Sequence, residues 1–235
     1  PMITRRGFLL GSIGAGALLP ARSMLAKAAQ PETVINFEVP PGACDCHTHI
    51  FGDPAKYPLY SGRTYTPEIA LPEEMNAMHR LLHLQRVVIV TPSVYGTDNA
   101  STLDGIRTRG ADARGIAVIN DQTPESELDA MGRAGIRGIR LNLSTGGTND
   151  PDVARDRFVG AIERMRGRDW HIQSFTSLQV IAALKDIVAS SPVPVVFDHF
   201  GGAKAVLGTQ QPGFADLLAL VRSGKAYVKI SGAYS

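Results

Sequence analysis

The pattern that most limits the fold is a repeated exchange of strand-like and helix-like segments from Ala43 to the end of the chain. Arg86-Val87-Val88-Ile89-Val90-Thr91 and Val193 to Asp198 are apolar runs rich in β-branched residues, which read as strands buried on both faces. Gly115 to Ile119, Ile136 to Leu141, Trp170 to Ser174 and Ala226 to Ile230 extend the series, and the stretch from Ala43 begins it. Helical stretches lie between them. Pro72-Glu73-Glu74 opens the first, with a proline and acids suited to an initial turn. The others run from about Thr102 to Thr108, Pro124 to Arg133, Asp152 to Arg166, Leu178 to Ala189 and Phe214 to Val221. Strand, helix, strand with short connections means parallel strands and right-handed crossovers. The expected fold is α/β, a (β/α)8 barrel of the TIM type, because the first strand is not followed by the Gly-x-Gly-x-x-Gly fingerprint of a dinucleotide-binding open sheet. Only seven strands can be counted, and such a barrel takes about 250 residues. The chain therefore reads as an incomplete copy that stops after the seventh strand, and Pro1 ahead of Met2 reads the same way.

The first 28 residues read differently. Thr4-Arg5-Arg6-Gly7-Phe8-Leu9-Leu10 is a twin-arginine pattern, followed by an apolar Gly/Ala-rich run and a small-x-small site at Ala26-Lys27-Ala28. The expected organisation is a signal peptide over 1–28, a linker over 29–42 and a barrel over 43–235. This implies recognition by the twin-arginine export machinery and a periplasmic location. The apolar run is too short and glycine-rich for a stable membrane span. The segment carries Arg5, Arg6, Arg22 and Lys27 and no acid, so the +2 net charge of the whole chain becomes −2 for the remainder. The basic balance belongs to the signal and does not argue for nucleic acid.

Within the first strand, strict alternation puts Asp45, His47 and His49 on one face and Cys44, Cys46 and Thr48 on the other. Two imidazoles on one face at a strand end can meet one metal ion or polarise one substrate. The cysteines are expected to be small buried residues packing outward against helices. A long loop from about Phe51 to Leu71 follows, holding Tyr57, Tyr60, Arg63 and Tyr65.

A barrel gathers the ends of its strands around one mouth, so the other ends matter equally. The second strand runs into Ser93 and Tyr95, the fourth ends at Arg140-Leu141-Asn142, the sixth at Asp198-His199 and the seventh at Lys229-Ile230-Ser231. His79 and His83, four apart, are expected on an ordinary helix surface, since no Glu follows His79 to make a His-Glu-x-x-His pair. His171 lies early in its strand and is expected to be structural. Asp45 is expected deep in its strand, and Asp198 on the face opposite His199.

Asp45-x-His47-x-His49 and Asp198-His199-x-Gly201, with Arg137-Gly138-Ile139-Arg140-Leu141-Asn142 and Val228-Lys229-Ile230-Ser231-Gly232, resemble the amidohydrolase superfamily, in its lactone-acting amidohydrolase-2 branch. The resemblance runs from Pro41 to the end. It implies a hydrolase or isomerase acting on a carboxylated lactone of the sugar-acid or pyrone-dicarboxylate type. His47, His49 and His199 would be catalytic and would stabilise the developing oxyanion, with or without one divalent metal such as zinc held by the same three histidines. Arg140 would hold a substrate carboxylate, with no acidic partner evident near it in the sequence. Ser93, Tyr95, Asn142 and Ser231 would contact substrate, and Tyr57 or Tyr60 would close the mouth. The branch supplies its general base as an Asp on the eighth strand. The chain ends before that position, so as it stands it is expected to be inactive. The fifth strand offers Ser174 or Phe175 where the wider superfamily has a ligand His, which counts against a decarboxylase of the same branch. A non-catalytic barrel that keeps a carboxylate-binding mouth is the other alternative.

Overall fold

The computed structural model describes residues 28, 30–32, 34–145 and 150–232. The twin-arginine pattern lies outside these residues. Seven parallel strands form one sheet in which each pairs with its neighbours in sequence. They are β1 (Cys44–Thr48), β2 (Arg86–Val90), β3 (Ala113–Ala117), β4 (Ile136–Asn142), β5 (His171–Phe175), β6 (Val195–Phe197) and β7 (Ala226–Val228). The helices are α1 (Pro72–Leu81), α2 (Ala100–Arg109), α3 (Glu125–Arg133), α4 (Pro151–Met165), α5 (Leu178–Ala183), α6 (Lys185–Ser190) and α7 (Phe214–Arg222). This is a TIM-like α/β fold. β1 and β7 are the outer strands, yet the sheet curls far enough for Lys229, just past β7, to donate to the Cys46 carbonyl of β1 at 2.8 Å.

The helices form where the sequence supplies a start and a stop. Asp150 accepts from the Asp152 N–H ahead of α4, with Pro151 at its first position, and Ser177 caps α5. The stretch expected as one helix from Leu178 to Ala189 is two short helices meeting at Leu184. Their inner faces meet the outer face of the sheet. Val87 and Ile89 of β2, Ile172 of β5 and Val195 and Phe197 of β6 pack in one core with Leu128 and Met131 of α3, Phe158 and Met165 of α4, Ile181 of α5 and Leu217 of α7. Each such side chain contributes about 1.5–3 kcal/mol by leaving water, and this burial fixes which strand face points out.

Two bulges then depart from simple alternation. Asp45 pairs with Val87 and Thr48 with Ile89, so β1 spends three residues where β2 spends two. The extra residue separates Asp45 from His47. Asp45 reaches His79 on α1, with Oδ2 to Nε2 at 3.0 Å, while His47 meets Asp198 of the strand-end cluster. The expectation of one shared face for Asp45, His47 and His49 is thus corrected. His79 is fully buried, and His83 lies beyond the end of α1 with φ +55°, so the two do not form a helix-surface pair. Gly115 pairs with Ile136 and Ala117 with Ile139, a second bulge. It lets Ile136 and Ile139 both join the outer core while Arg140 turns to the other side. Cys44 is partly buried and Cys46 exposed, against the expectation of buried thiols.

Candidate active site at the strand ends

Asp198 is the centre of the site. It is fully buried and follows β6 in extended conformation. Arg140 from β4 places Nε and Nη2 each 3.0 Å from Oδ2, and Gln173 from β5 donates to the same oxygen at 3.1 Å. On the other oxygen, Oδ1 lies 3.2 Å from His47 Nδ1 and 3.7 Å from Lys229 Nζ. Lys229 also donates to Gln173 Oε1 at 2.6 Å. Five strands thus contribute to one buried network. Burial works to raise the Asp198 pKa, but the His47 hydrogen bond and the charges of Arg140 and Lys229 outweigh it and hold the carboxyl well below the usual range. The ammonium of Lys229 is pushed down to about 8 by burial, with Asp198 opposing and Arg140 adding to the shift.

Three imidazoles border this network. The His47 ring is 5.0 Å from that of His49 and 4.7 Å from that of His199. His49 Nδ1 lies 2.7 Å from the Val90 carbonyl oxygen. A carbonyl only accepts, so Nδ1 carries the proton and Nε2 the lone pair. Burial, with Arg140 and His47 nearby, pushes the His49 pKa down to about 3. Burial also lowers His47 and His199, opposed in each by Asp198. All three rings are therefore neutral near neutral pH. His47 Nδ1 stands between the Asp198 carboxylate and the Lys229 ammonium, 3.3 Å from Nζ. Protonated it donates to Asp198, and unprotonated it accepts from Lys229. His199 is held by Ser231, whose Oγ is 2.9 Å from Nδ1. The turn after β6 takes His199 and Phe200 through positive φ, which brings His199 to the same side as Asp198 and corrects the expectation of opposite faces.

The other expected residues are placed as follows. Arg140 has an acidic partner after all, 58 residues away in sequence, and is almost fully buried. Phe175 at the end of β5 lies edge-on to His199, ring centres 5.4 Å apart, with the Arg140 guanidinium 5.5 Å from its centre. Ser231 contacts His199. Ser93, Tyr95 and Asn142 line a cavity of about 500 Å³ between the first long loop and the ends of β2 to β4, together with Tyr60 and Arg63. The Tyr95 hydroxyl accepts from the Gly52 N–H at 2.9 Å. Tyr57 does not close the mouth. It is buried with Val94 and Tyr95, its ring lying where a Cβ on residue 52 would come within 2.2 Å, so Gly52 is what admits it. Tyr60, the other residue expected there, lines the cavity with Ser93. Gln173, Lys229 and the central place of Asp198 were missed by sequence reasoning. Gln173 alternates with the buried Ile172 and Ser174, and an amide in such a strand was the available signal.

A metal site can be tested on the donor set. His47, Asp198 and His199 each offer a ligand atom, all within 4.8 Å of one another, and among the described residues His47 Nε2 is a buried nitrogen with no hydrogen-bond partner. Two imidazoles and a carboxylate suit a divalent cation. The structure groups Asp198, not His49, with the other two.

The chain matches the amidohydrolase family model over residues 44–235. It is 30% identical over 206 residues to 4-sulfomuconolactone hydrolase of Rhizobium radiobacter, covering 85% of this chain and 66% of that protein. It is 28% identical over 208 residues to D-galactarolactone isomerase of Agrobacterium fabrum, covering 86% and 68%. A crystal structure described as a probable 2-pyrone-4,6-dicarboxylic acid hydrolase from Acinetobacter baumannii, with citric acid bound, superposes with a TM-score of 0.73 at 26% identity, covering 82% of this chain and 71% of that one. The chain spans about two thirds of the length of the curated relatives it matches.

Proposed function

The chain belongs to the amidohydrolase family, and on that premise we propose that its mouth binds a carboxylated lactone and serves hydrolysis or isomerisation of the lactone ring. The observation that carries this reading is the Asp198 network, in which Arg140, Lys229 and His47 converge from three other strands on one buried carboxylate. Opening a lactone puts negative charge on the carbonyl oxygen. Fixed cations and N–H donors already in place stabilise that charge without reorganising. Asp198 balances the two cations and holds them in position. It is itself a poor proton acceptor, being paired and held far below the usual carboxylate range. The neutral rings of His47 and His199 are the groups placed to take a proton, whereas His49, pushed down to about 3, is not. If a divalent metal binds, His47, Asp198 and His199 would hold it, and it would supply Lewis-acid polarisation of the carbonyl.

The carboxylate expected on an eighth strand has no counterpart among the described residues. General acid–base catalysis contributes about 10²–10⁴-fold, so this chain by itself is expected to bind lactone without measurable turnover. The test assays this chain, and the longer protein where native sequence continues past Ser235, on galactarolactone, pyrone dicarboxylate and a simple aldonolactone. Turnover of a carboxylated lactone by the longer form, lost in His47→Ala and His199→Ala variants that keep their fold, is the expected result. No turnover by the longer form, or turnover untouched in both variants, would overturn the reading.

A further inference from the structure

We propose that the cavity between the first long loop and the ends of β2 to β4 is a subsite for the far end of the substrate, with Arg63 as its carboxylate-binding cation and a hydroxylated acid as its ligand. The inference rests on the lactone reading of the mouth and deepens it. Three cations, Arg140, Lys229 and Arg63, differ in what already holds them. Arg140 has Nε and Nη2 on Asp198, and Lys229 is spread over Asp198, Gln173 and the Cys46 carbonyl. Pulling either toward a substrate would leave buried charge unbalanced. Arg63 differs. Its Nε donates to Thr66 Oγ1 at 3.0 Å and Nη1 to the Tyr60 carbonyl at 3.2 Å, both neutral acceptors. Among the described residues lining the cavity it is the one cation.

The loop holds Arg63 in place. The Tyr60 N–H donates to the Val94 carbonyl at 2.7 Å, and the Arg63 N–H to the Tyr60 carbonyl at 3.2 Å. The Tyr60 ring lies against Gly96, whose φ of +58° and missing side chain admit it. The guanidinium is thus presented at a wall of the cavity.

The remaining walls identify the rest of the ligand. Ser93, Asn120, Asn142 and Thr145 face a space of about 500 Å³, within the range of small-molecule sites. Among the described residues, Asn142 Oδ1 and Thr145 Oγ1 are buried and find no hydrogen-bond partner. Buried polar atoms of this kind favour a ligand that pairs with them and reject one that leaves them unpaired. Hydroxyl groups supply both donors and acceptors, whereas a flat unsaturated ring offers few. Asp98, the acid in the lining, already accepts the Ala100 N–H at the start of α2.

The test is calorimetric titration of this chain, Arg63→Met and Arg63→Lys with galactarolactone and with galactonolactone, which carries a hydroxymethyl group where the former has a carboxylate. The open-chain acid galactarate is titrated as a third probe that needs no turnover. Wild type should prefer galactarolactone. Arg63→Met should weaken galactarolactone and galactarate about 10–100-fold, the range for a charged hydrogen bond, and leave galactonolactone unchanged. Arg63→Lys, which keeps the charge and loses the fork, should fall between. Equal binding by wild type and Arg63→Met, equal loss for both lactones, or no binding by wild type would overturn the subsite. If galactarate binding depends on Arg63 while no lactone is turned over, the subsite stands and the lactone chemistry fails.

Discussion

A single carboxylate organises the chemistry, and its partners show why charge cannot be placed from local sequence. Arg140 has no acid near it in the chain, yet its partner is Asp198 on another strand. Burying two ions is expensive, and their attraction offsets the cost only while both are present. Arg140→Met is therefore expected to lower stability by about 3–5 kcal/mol, the range for breaking a buried pair. Urea unfolding of the two proteins at one pH measures this. A change under about 1 kcal/mol, typical of an exposed pair, would mean that Asp198 does not depend on Arg140. Gly138 plays a quieter part beside it. A Cβ there would come within 2.6 Å of the His171 carbonyl, so only glycine lets β4 and β5 approach as they do.

Bulges decide which way functional side chains point. Asp45 Oδ1 accepts the His47 N–H at 2.9 Å, while Oδ2 takes the fully buried His79 from α1. The carboxylate ties the bulge of β1 to the helix behind it and so sets the direction of His47. Burial opposes ionisation of Asp45, but His79 and the His47 N–H outweigh it and lower the pKa. Asp45→Ala is expected to cost about 1–3 kcal/mol, the penalty of leaving a buried donor unpaired. It should also reduce lactone turnover in the protein that shows it. Asp45→Asn keeps an acceptor for the His47 N–H and should retain more of both. Unfolding and kinetics on the two variants decide the matter, and equal behaviour of Ala and Asn would refute this role for the bulge.

The whole molecule carries imidazoles that it keeps uncharged. Burial, with Lys229 adding to it, pushes His171 down to about 4, while His49 lies at about 3. An unfolded histidine titrates near 6.5. Below that pH the unfolded chain takes up protons that the folded chain refuses, so stability falls as pH falls from about 6.5 toward 4 and is fully present above 6.5. Each fully shielded ring would contribute about 1.4 kcal/mol per pH unit. Both rings are half-buried, so the expected total loss between about pH 7 and pH 5 is roughly 2–3 kcal/mol. Denaturant unfolding at the two pH values reads it, and His171→Asn should show a smaller loss. A flat profile in wild type would contradict the depressed values.

Sequence alone determined the order and type of the elements. Apolar runs such as Val87 to Val90, acids and prolines at helix starts, and short connections depend on neighbours within a few residues, and those neighbours are visible in the chain. It also placed His47, His49, Arg140 and His199 at one set of strand ends, because parallel connectivity fixes which ends gather. Tertiary structure decided the faces and the partners. Alternation put Asp45 with His47 and His79 on a surface, and each inference failed at a bulge or across a helix packing that single-strand periodicity does not contain. The network of Asp198, Gln173 and Lys229 joins residues 25 to 56 positions apart. Its existence depends on how far the sheet curls, which is set by the packing of the helices on its outer face and by no local run of residues.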